Sequence, residues 1–356
     1  MNCVDVVIPC YNYARFLSQA VASVLEQDGV NVRVLIIDDC STDNSRQVGL
    51  HLAKQDTRVE FARHSKNHGH IATYNEGLLG WASAEYSLLL SADDALAPGA
   101  LFRATHIMEN NRDVTMTCGM AQIIGDDEDY TTAAINDSVE YQIISSDRFL
   151  HRFVVKGNSV ITPTAVVRTK IQKRLGGYRS DLPHSGDMEM WMRFASLGSI
   201  GILRAVQAYY RIHRNNMSLQ YYNQLLGDRR EVLQACEETF VRCRANFPEF
   251  RSWMEKLHQR LSEETCWSAS LAFDDGHLEE YHAYLKFAEQ IYPKIRKSAM
   301  WRKIRFKEFL GLNLWHDILP IWKRLRQRRN LQRKEQTPID PQAIKLVGWW
   351  PESPER

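Results

Sequence analysis

Two adjacent carboxylates, Asp93 and Asp94, follow the apolar run 86–90 and precede Ala95, Leu96, Ala97 and Pro98. Side by side at the end of an apolar run they repel one another, which is costly unless a cation sits between or beside them. Hard oxygen ligands, few in number and open to solvent, suit Mg²⁺ or Mn²⁺ held jointly with substrate phosphates. An isolated Asp-Asp is more often a solvated turn; the company this pair keeps argues for the metal. Asp39 follows Ile36, Ile37 and Asp38 at the end of another apolar run. There it can accept hydrogen bonds from a ribose hydroxyl or a base N–H, while Tyr11 offers an aromatic face for the base. The two together read as a nucleoside pocket. His64, His68 and His70 have the count of a zinc site, but no fourth ligand of the usual kind stands close by.

These side chains need elements to position them. Residues 4–8, 32–37, 59–62 and 86–90 read as short strands, and 16–25, 44–54 and 71–81 as helices. Such alternation predicts an α/β fold, a parallel sheet with covering helices, and the nearly all-apolar strands predict burial on both faces. Ligands of such sheets bind beyond the carboxyl ends of the strands. The loops 9–12, 38–43 and 91–94 therefore belong to one rim and one site. Further on, a helix is expected from Pro98, a strand over 114–124, a polar loop over 125–138, a short strand over 164–168, a turn at Gly176 and Gly177, and a helix over 188–197. Beyond Arg214 the pattern changes to long helices, over 217–247 and 249–292. The expected organisation is a catalytic domain (1–215), a helical domain (216–293), a basic amphipathic segment (294–335) and a tail (336–356).

Several ordered motifs resemble glycosyltransferase family 2: Val7-Ile8-Pro9-Cys10-Tyr11-Asn12, Ile37-Asp38-Asp39-Cys40-Ser41-Thr42-Asp43, Asn67-His68-Gly69 with Asn75-Glu76-Gly77, and Ser91-Ala92-Asp93-Asp94. The resemblance covers about residues 3–215. It implies the GT-A fold, a Rossmann-like, mostly parallel sheet flanked by helices and followed here by a helical region, and an inverting enzyme using a nucleotide-sugar donor. It places Pro9, Tyr11, Asp39, Asn67, Gly69 and Asp93 at the donor and makes Asp93 and Asp94 the metal-binding motif, with Ser91 where the family usually has a first aspartate. The segment from Leu182 to Arg193 is similar to the family's Glu-Asp-x-x-Leu-Trp-x-Arg signature. That match makes Asp187 the catalytic base and puts Gly186 where the glutamate usually stands. Single displacement at an anomeric carbon needs one base for the acceptor hydroxyl and positive charge for the departing diphosphate, and no nucleophilic carboxylate. Glu189 is the rival base, but it lies two residues on, and on a helix it points elsewhere. Tyr210-Arg211-Ile212-His213 resembles the family's Tyr-Arg-x-His element, so Arg211 and His213 are expected at the donor diphosphate, and His213 beside the metal; a solvated basic loop is the alternative.

Composition bounds the rest. The 356 residues carry 45 Lys and Arg against 43 Asp and Glu, a net +2 that excludes a protein basic throughout and built to coat nucleic acid. Residues 294–334 hold 14 basic residues against Glu308 and Asp317, leaving residues 1–293 acidic. Cations interleaved there with Trp301, Ile304, Phe309, Leu312 and later aliphatics read as an amphipathic helix on an anionic membrane surface, or as a helix packed on the catalytic body. Seven cysteines without a CxxC pair, no secretory signal and no apolar run near the roughly 20 residues of a membrane span fit a cytoplasmic protein, peripheral on the inner face of the membrane. The expected partners are a UDP-sugar foremost, with dTDP or GDP donors open, a glycan or lipid-linked oligosaccharide acceptor in surface polysaccharide synthesis, and no nucleic acid. The competing reading is a catalytically silent nucleotide-binding or membrane-scaffolding protein. A nicotinamide-dependent oxidoreductase lacks its GxGxxG after the first strand.

Overall fold

The computed structural model describes residues 1–126, 140–217, 225–243, 249–320 and 345–351. By internal contact the chain divides into two compact units. Unit 1 comprises 1–223, 241–243 and 344–356, and unit 2 comprises 224–240 and 244–343. The first unit thus runs past 215 and recovers the end of the chain. The helical region and the basic segment, expected as separate pieces, share the second.

Unit 1 is built as a βαβ succession: β1 (Asn2–Cys10), α1 (Ala14–Leu25), β2 (Val30–Asp38), α2 (Ser45–Gln55), β3 (Val59–Arg63), α3 (His70–Asn75) continuing as a wider π turn (Glu76–Trp81), and β4 (Tyr86–Leu89). β1 pairs in parallel with β2 from Asn2↔Val30 to Cys10↔Asp38, and with β4 from Val4↔Tyr86 to Val7↔Leu89. Val4, Val6, Ile8, Val34, Ile36 and Leu88 are all buried, as strands covered on both faces require. The interior of β1 holds one charge, Asp5, fully buried. Arg33 donates to both its oxygens at 2.9 and 2.7 Å and the amides of Ser83 and Ala84 add two more bonds, so it is satisfied.

The rest of the unit extends this sheet: β5 (Ala95–Leu96), α4 (Ala100–Asn110), β6 (Val114–Ile124), β7 (Tyr141–Ile144), α5 (Ser146–Lys156), β8 (Val166–Arg168), α6 (Thr169–Leu175), α7 (Gly186–Ala195), β9 (Ser199–Arg211) and β10 (Leu346–Val347). The strand order is β3-β2-β1-β4-β8-β6-β9-β5, with β7 also on β9 and β10 on β6. β6 and β9 run in parallel over most of their length. The antiparallel pairs are each two to four residues long, so the sheet is mostly parallel. β5, β7 and β10 had no counterpart in the sequence pattern. They are too short for a two-residue period to be read, and their partners lie far along the chain. Most of the expected polar loop 125–138 lies outside the described residues.

Unit 2 contains α8 (Leu225–Cys243, as far as Phe240), α9 (Phe250–Asp274), α10 (Leu278–Ile291) and α11 (Ala299–Leu310). Cys266, Ala269, Phe273, Tyr281, Tyr284, Ala288, Ile295, Ile304 and Trp315 form its core. Ser298 caps α11, its hydroxyl accepting from the Trp301 amide at 3.0 Å. The first part of the basic segment therefore spends Ile295, Met300, Trp301 and Ile304 on unit 2's own core, while Phe306 and Phe309 stay exposed. Residues 321–334 lie outside the described residues.

Candidate active site

The strand-end loops open into one cleft of about 890 Å³. Pro9, Tyr11, Asp39, Asn67 and Gly69 line it, and so do Ser91, Asp93, Asp94 and Asp187.

The loops after β1 and β2 are locked together. Asn12 sits in the left-handed region at φ 61°, where asparagine is better tolerated than most residues. From there its Oδ1 accepts from the Thr42 amide at 2.8 Å, while its own amide donates to Ser41 Oγ at 2.9 Å. Asp43 then accepts from the amides of Ala14 and Ser45. Of the two aspartates ending β2, Asp38 is wholly buried and structural, accepting from Ser41 N and Arg63 Nε, each at 2.9 Å. Asp39 lines the cleft. It accepts from His64 Nδ1 at 2.6 Å and from the amides of His68 and Gly69 at 2.7 and 2.9 Å. Burial works to raise its pKa, but these bonds outweigh it and hold the carboxyl below its ordinary value. His64 reaches Glu76 with its other nitrogen at 2.9 Å and stacks on His68. Burial works to lower its pKa, and the two carboxylates more than reverse that, leaving it raised. Of the three histidines, the His64 ring braces a carboxylate, His68 lends its amide, and His70 Nε2 bonds Pro183 O at 3.0 Å.

The Asn75-Glu76-Gly77 run is accounted for residue by residue. Asn75 clamps the loop before α7, donating to Tyr178 O at 2.8 Å and accepting from its amide at 2.6 Å. Glu76 holds His64, and Gly77 presses on β1, where an added Cβ would lie 2.4 Å from Val7 Cγ1.

Asp93 and Asp94 are both buried, 6% and 3% exposed. Asp94 Oδ1 accepts from the Arg211 amide at 2.9 Å. Burial, and then the charge of Asp93, push the Asp94 carboxyl well above its usual range. Asp93 Oδ2 accepts from His213 Nε2 at 3.0 Å. Among the described residues no protein group bonds Asp93 Oδ1 or Asp94 Oδ2. Two crowded buried carboxylates with two spare oxygens at a cleft wall fit a divalent cation. Among the described residues, however, no group of three or more His, Cys, Asp or Glu stands ready to hold a metal by itself. Any cation here would complete its shell with water or substrate oxygens.

Two expected donor residues lie behind the carboxylate turn. Arg211 does not face the cleft. Its guanidinium is 2% exposed over the Phe16 ring and donates to Asp93 O, Gly125 O and Gln19 Oε1, because β9 carries it to the inner side of the carboxylate turn. His213 sits behind Asp93. Its Nδ1 accepts from the Asn215 amide at 3.2 Å, so its proton is on Nε2 and is given to Asp93. In this arrangement it orients a carboxylate of the expected metal pair. The exposed cation at the cleft is Arg214, beside Asn215 and Asn216.

Asp187 is the second residue of α7. Its Oδ2 accepts from Thr162 Oγ1 at 3.3 Å and Asn158 Nδ2 at 3.4 Å, while Oδ1 accepts from the Met188 amide. Burial raises its pKa above the ordinary carboxylate value against these bonds. Glu189 is 1% exposed and paired with Arg193 at 2.8 Å, away from the cleft. Asn158 and Thr162 escaped notice in the sequence because they stand in no spaced motif. Arg214 escaped because the motif drew attention to Arg211.

The family model of glycosyl transferase family 2 matches residues 5–174. An uncharacterised glycosyltransferase of Nostoc sp. is 30% identical over 230 residues, covering 60% of this chain and 67% of that one. Another, from Haemophilus influenzae, is 24% identical over 227 residues, covering 62% and 69%. Among solved structures, S. aureus TarS 1–349 in complex with UDP-GlcNAc aligns over 99% of this chain and 97% of that one, with a TM-score of 0.62 at 15% identity. The mannosyltransferase PcManGT of Pyrobaculum calidifontis, in complex with GDP-Man and Mn²⁺, aligns over 88% and 83% with a TM-score of 0.50 at 14% identity. With a GT-A-type sheet, strand-end carboxylates in one cleft and these likenesses together, the chain belongs to glycosyl transferase family 2 and is a glycosyltransferase.

Proposed function

We propose that the enzyme transfers a sugar, with inversion, from a nucleoside-diphosphate donor to a hydroxyl of a glycan or lipid-linked oligosaccharide, with Asp187 as general base. The observation that carries the reading is that one cleft holds Asp39, the Asp93–Asp94 pair and Asp187, and that the side-chain bonds to the last are long, at 3.3 and 3.4 Å. Asp39 is bound to His64 and two amides, with Oδ2 accepting one bond and able to take another from a base or ribose. Asp93 and Asp94 form the cation-favouring wall. Asp187 remains, with a raised pKa and weak bonds from Asn158 and Thr162 that a sugar hydroxyl can replace.

In this reading Tyr11 and Asp39 hold the nucleoside, and Arg214 meets the diphosphate. Asp93 and Asp94 would hold Mg²⁺ or Mn²⁺, which supplies positive charge to the leaving diphosphate. Asp187 takes the acceptor proton as the hydroxyl oxygen bonds to the anomeric carbon and the bond to the diphosphate oxygen breaks. One displacement with one base inverts the anomeric centre. UDP is the first donor to test: the nucleotide sugars held by TarS and PcManGT carry uracil and guanine, and both bases offer a ring N–H to a carboxylate.

The acceptor class leads to a membrane. No helix among the described residues is long and apolar enough to cross one, so the reading is peripheral attachment at the cytoplasmic face through 294–334. Thermal unfolding with UDP, dTDP and GDP, each with Mn²⁺ or chelator, tests the donor site. Ligand at 100 times its dissociation constant adds about 2.7 kcal/mol. Stabilisation by one nucleotide only with metal supports the reading, and no stabilisation by any sinks it. The anomeric configuration of a transferred sugar then tests inversion.

A further inference from the structure

α11 splits its expected membrane face, turning Trp301 and Ile304 inward and leaving Phe309 outside. Ile304 is fully buried, Trp301 and Met300 pack on the core of unit 2, and even Lys307 is interior, donating to Asp274 Oδ1 and to Ser270. By helical geometry the outer side is an arc of about 160° carrying Arg302, Lys303, Arg305, Phe306 and Phe309. Phe306 is 56% exposed and Phe309 85%. Among the described residues neither ring meets another aromatic ring or the core cluster. Arg305 pairs with Glu308 and Arg296 with Glu289, whereas Lys286, Lys297, Arg302 and Lys303 have no carboxylate partner there. A pocket of about 510 Å³, lined by His282, Lys286, Arg296, Trp301 and Arg305 with Glu289 as its one acid, shares Arg305 with this arc.

We propose that this outer face of α11 is the docking surface of unit 2 for an anionic phospholipid bilayer. It rests on the membrane reading above but keeps Phe309 alone of the apolar residues of α11 that reading named, and adds Phe306. Phe306 and Phe309 enter the boundary between headgroups and acyl chains, Arg302 and Lys303 meet the headgroups, and the pocket over Trp301 receives one lipid phosphate. A bare phenyl ring gains by leaving water and has no polar tip to satisfy, while cations on either side gain from anions. The headgroup boundary of an anionic bilayer offers both within one turn of helix.

The test is cosedimentation of the full chain with phosphatidylcholine vesicles, with and without phosphatidylglycerol. The wild type binds only the anionic vesicles, less as salt is added. Phe306→Ser with Phe309→Ser lowers binding about tenfold or more with unchanged thermal midpoint and nucleotide binding, and Arg302→Glu with Lys303→Glu does the same. Anionic-vesicle binding that ignores both double variants overturns this inference and leaves the membrane reading standing. Absence of wild-type binding to either vesicle overturns both. Equal binding to both vesicles removes the role of the cations and overturns the proposal as stated.

Discussion

Asp187 and Glu189 stand two residues apart on one helix and differ in every physical respect that matters to catalysis. Asp187→Asn is expected to lower transfer by about 10²–10⁴ while nucleotide binding persists, in a paired activity and binding assay. Because burial raises the Asp187 pKa, its ionised form costs stability above the unfolded value of about 3.9. The same substitution should therefore raise the unfolding midpoint at neutral pH. If Asp187 is the base as proposed, activity needs its carboxylate, and the acid limb of the pH profile should fall above the ordinary carboxylate range. Glu189→Gln should instead strand Arg193 in the interior and cost about 3–5 kcal/mol of stability by denaturant titration. The His64–Asp39 pair has its own window. The lowered Asp39 pKa contributes stability above its unfolded value that is lost as pH falls through the folded one; the raised His64 pKa contributes stability below about 6.5 that is lost as pH rises through the folded one. The difference in midpoint between wild type and His64→Gln should shrink on the alkaline side, and a constant difference would show that the imidazole is not charged.

At the scale of elements, the site depends on close approaches that only small residues permit. The π turn brings Gly77 against Val7 of β1, and the end of α3 brings Asn75 against Gly177, where an added Cβ would lie 2.1 Å from Asn75 Oδ1. Gly77→Ala is expected to cost about 1–3 kcal/mol in denaturant unfolding, since the obstacle is a β-branched side chain in a packed strand. The family resemblance marked Asn75-Glu76-Gly77 as part of a motif, but nothing in it said that all three brace the cleft from behind. Likewise the helical period in 299–310 was legible, while the direction in which α11 turns was not. The periodicity of a helix gives two faces, and burial picks between them only when a neighbour is present.

For the whole molecule, two compact units imply two partly independent unfolding events. Calorimetry should show two transitions, only one of which moves up with nucleoside diphosphate and Mn²⁺. A single transition moving as one would show that the units unfold together. The last described residues belong to unit 1: Trp349 lies against Phe149 and under Arg152, and Gln142 donates to Pro351 O at 3.2 Å. Within the expected tail, Leu346 and Val347 pair with β6 of the sheet.

By itself the sequence determined the βαβ order, the boundaries of β6 to the residue, and the rim on which Tyr11, Asp39, Asp93 and Asp94 meet. Those follow from local period and from the rule that ligands gather at strand ends. Tertiary structure alone decided which cation lines the cleft, Arg214 and not Arg211, and that His213 bonds Asp93. It also decided that Glu189 is interior and that Phe306 and Phe309 are outside. Each of these turns on which way a side chain leaves an element whose period was already known. That direction is set by partners far along the chain, such as Gln19 for Arg211, about which local pattern carries no information.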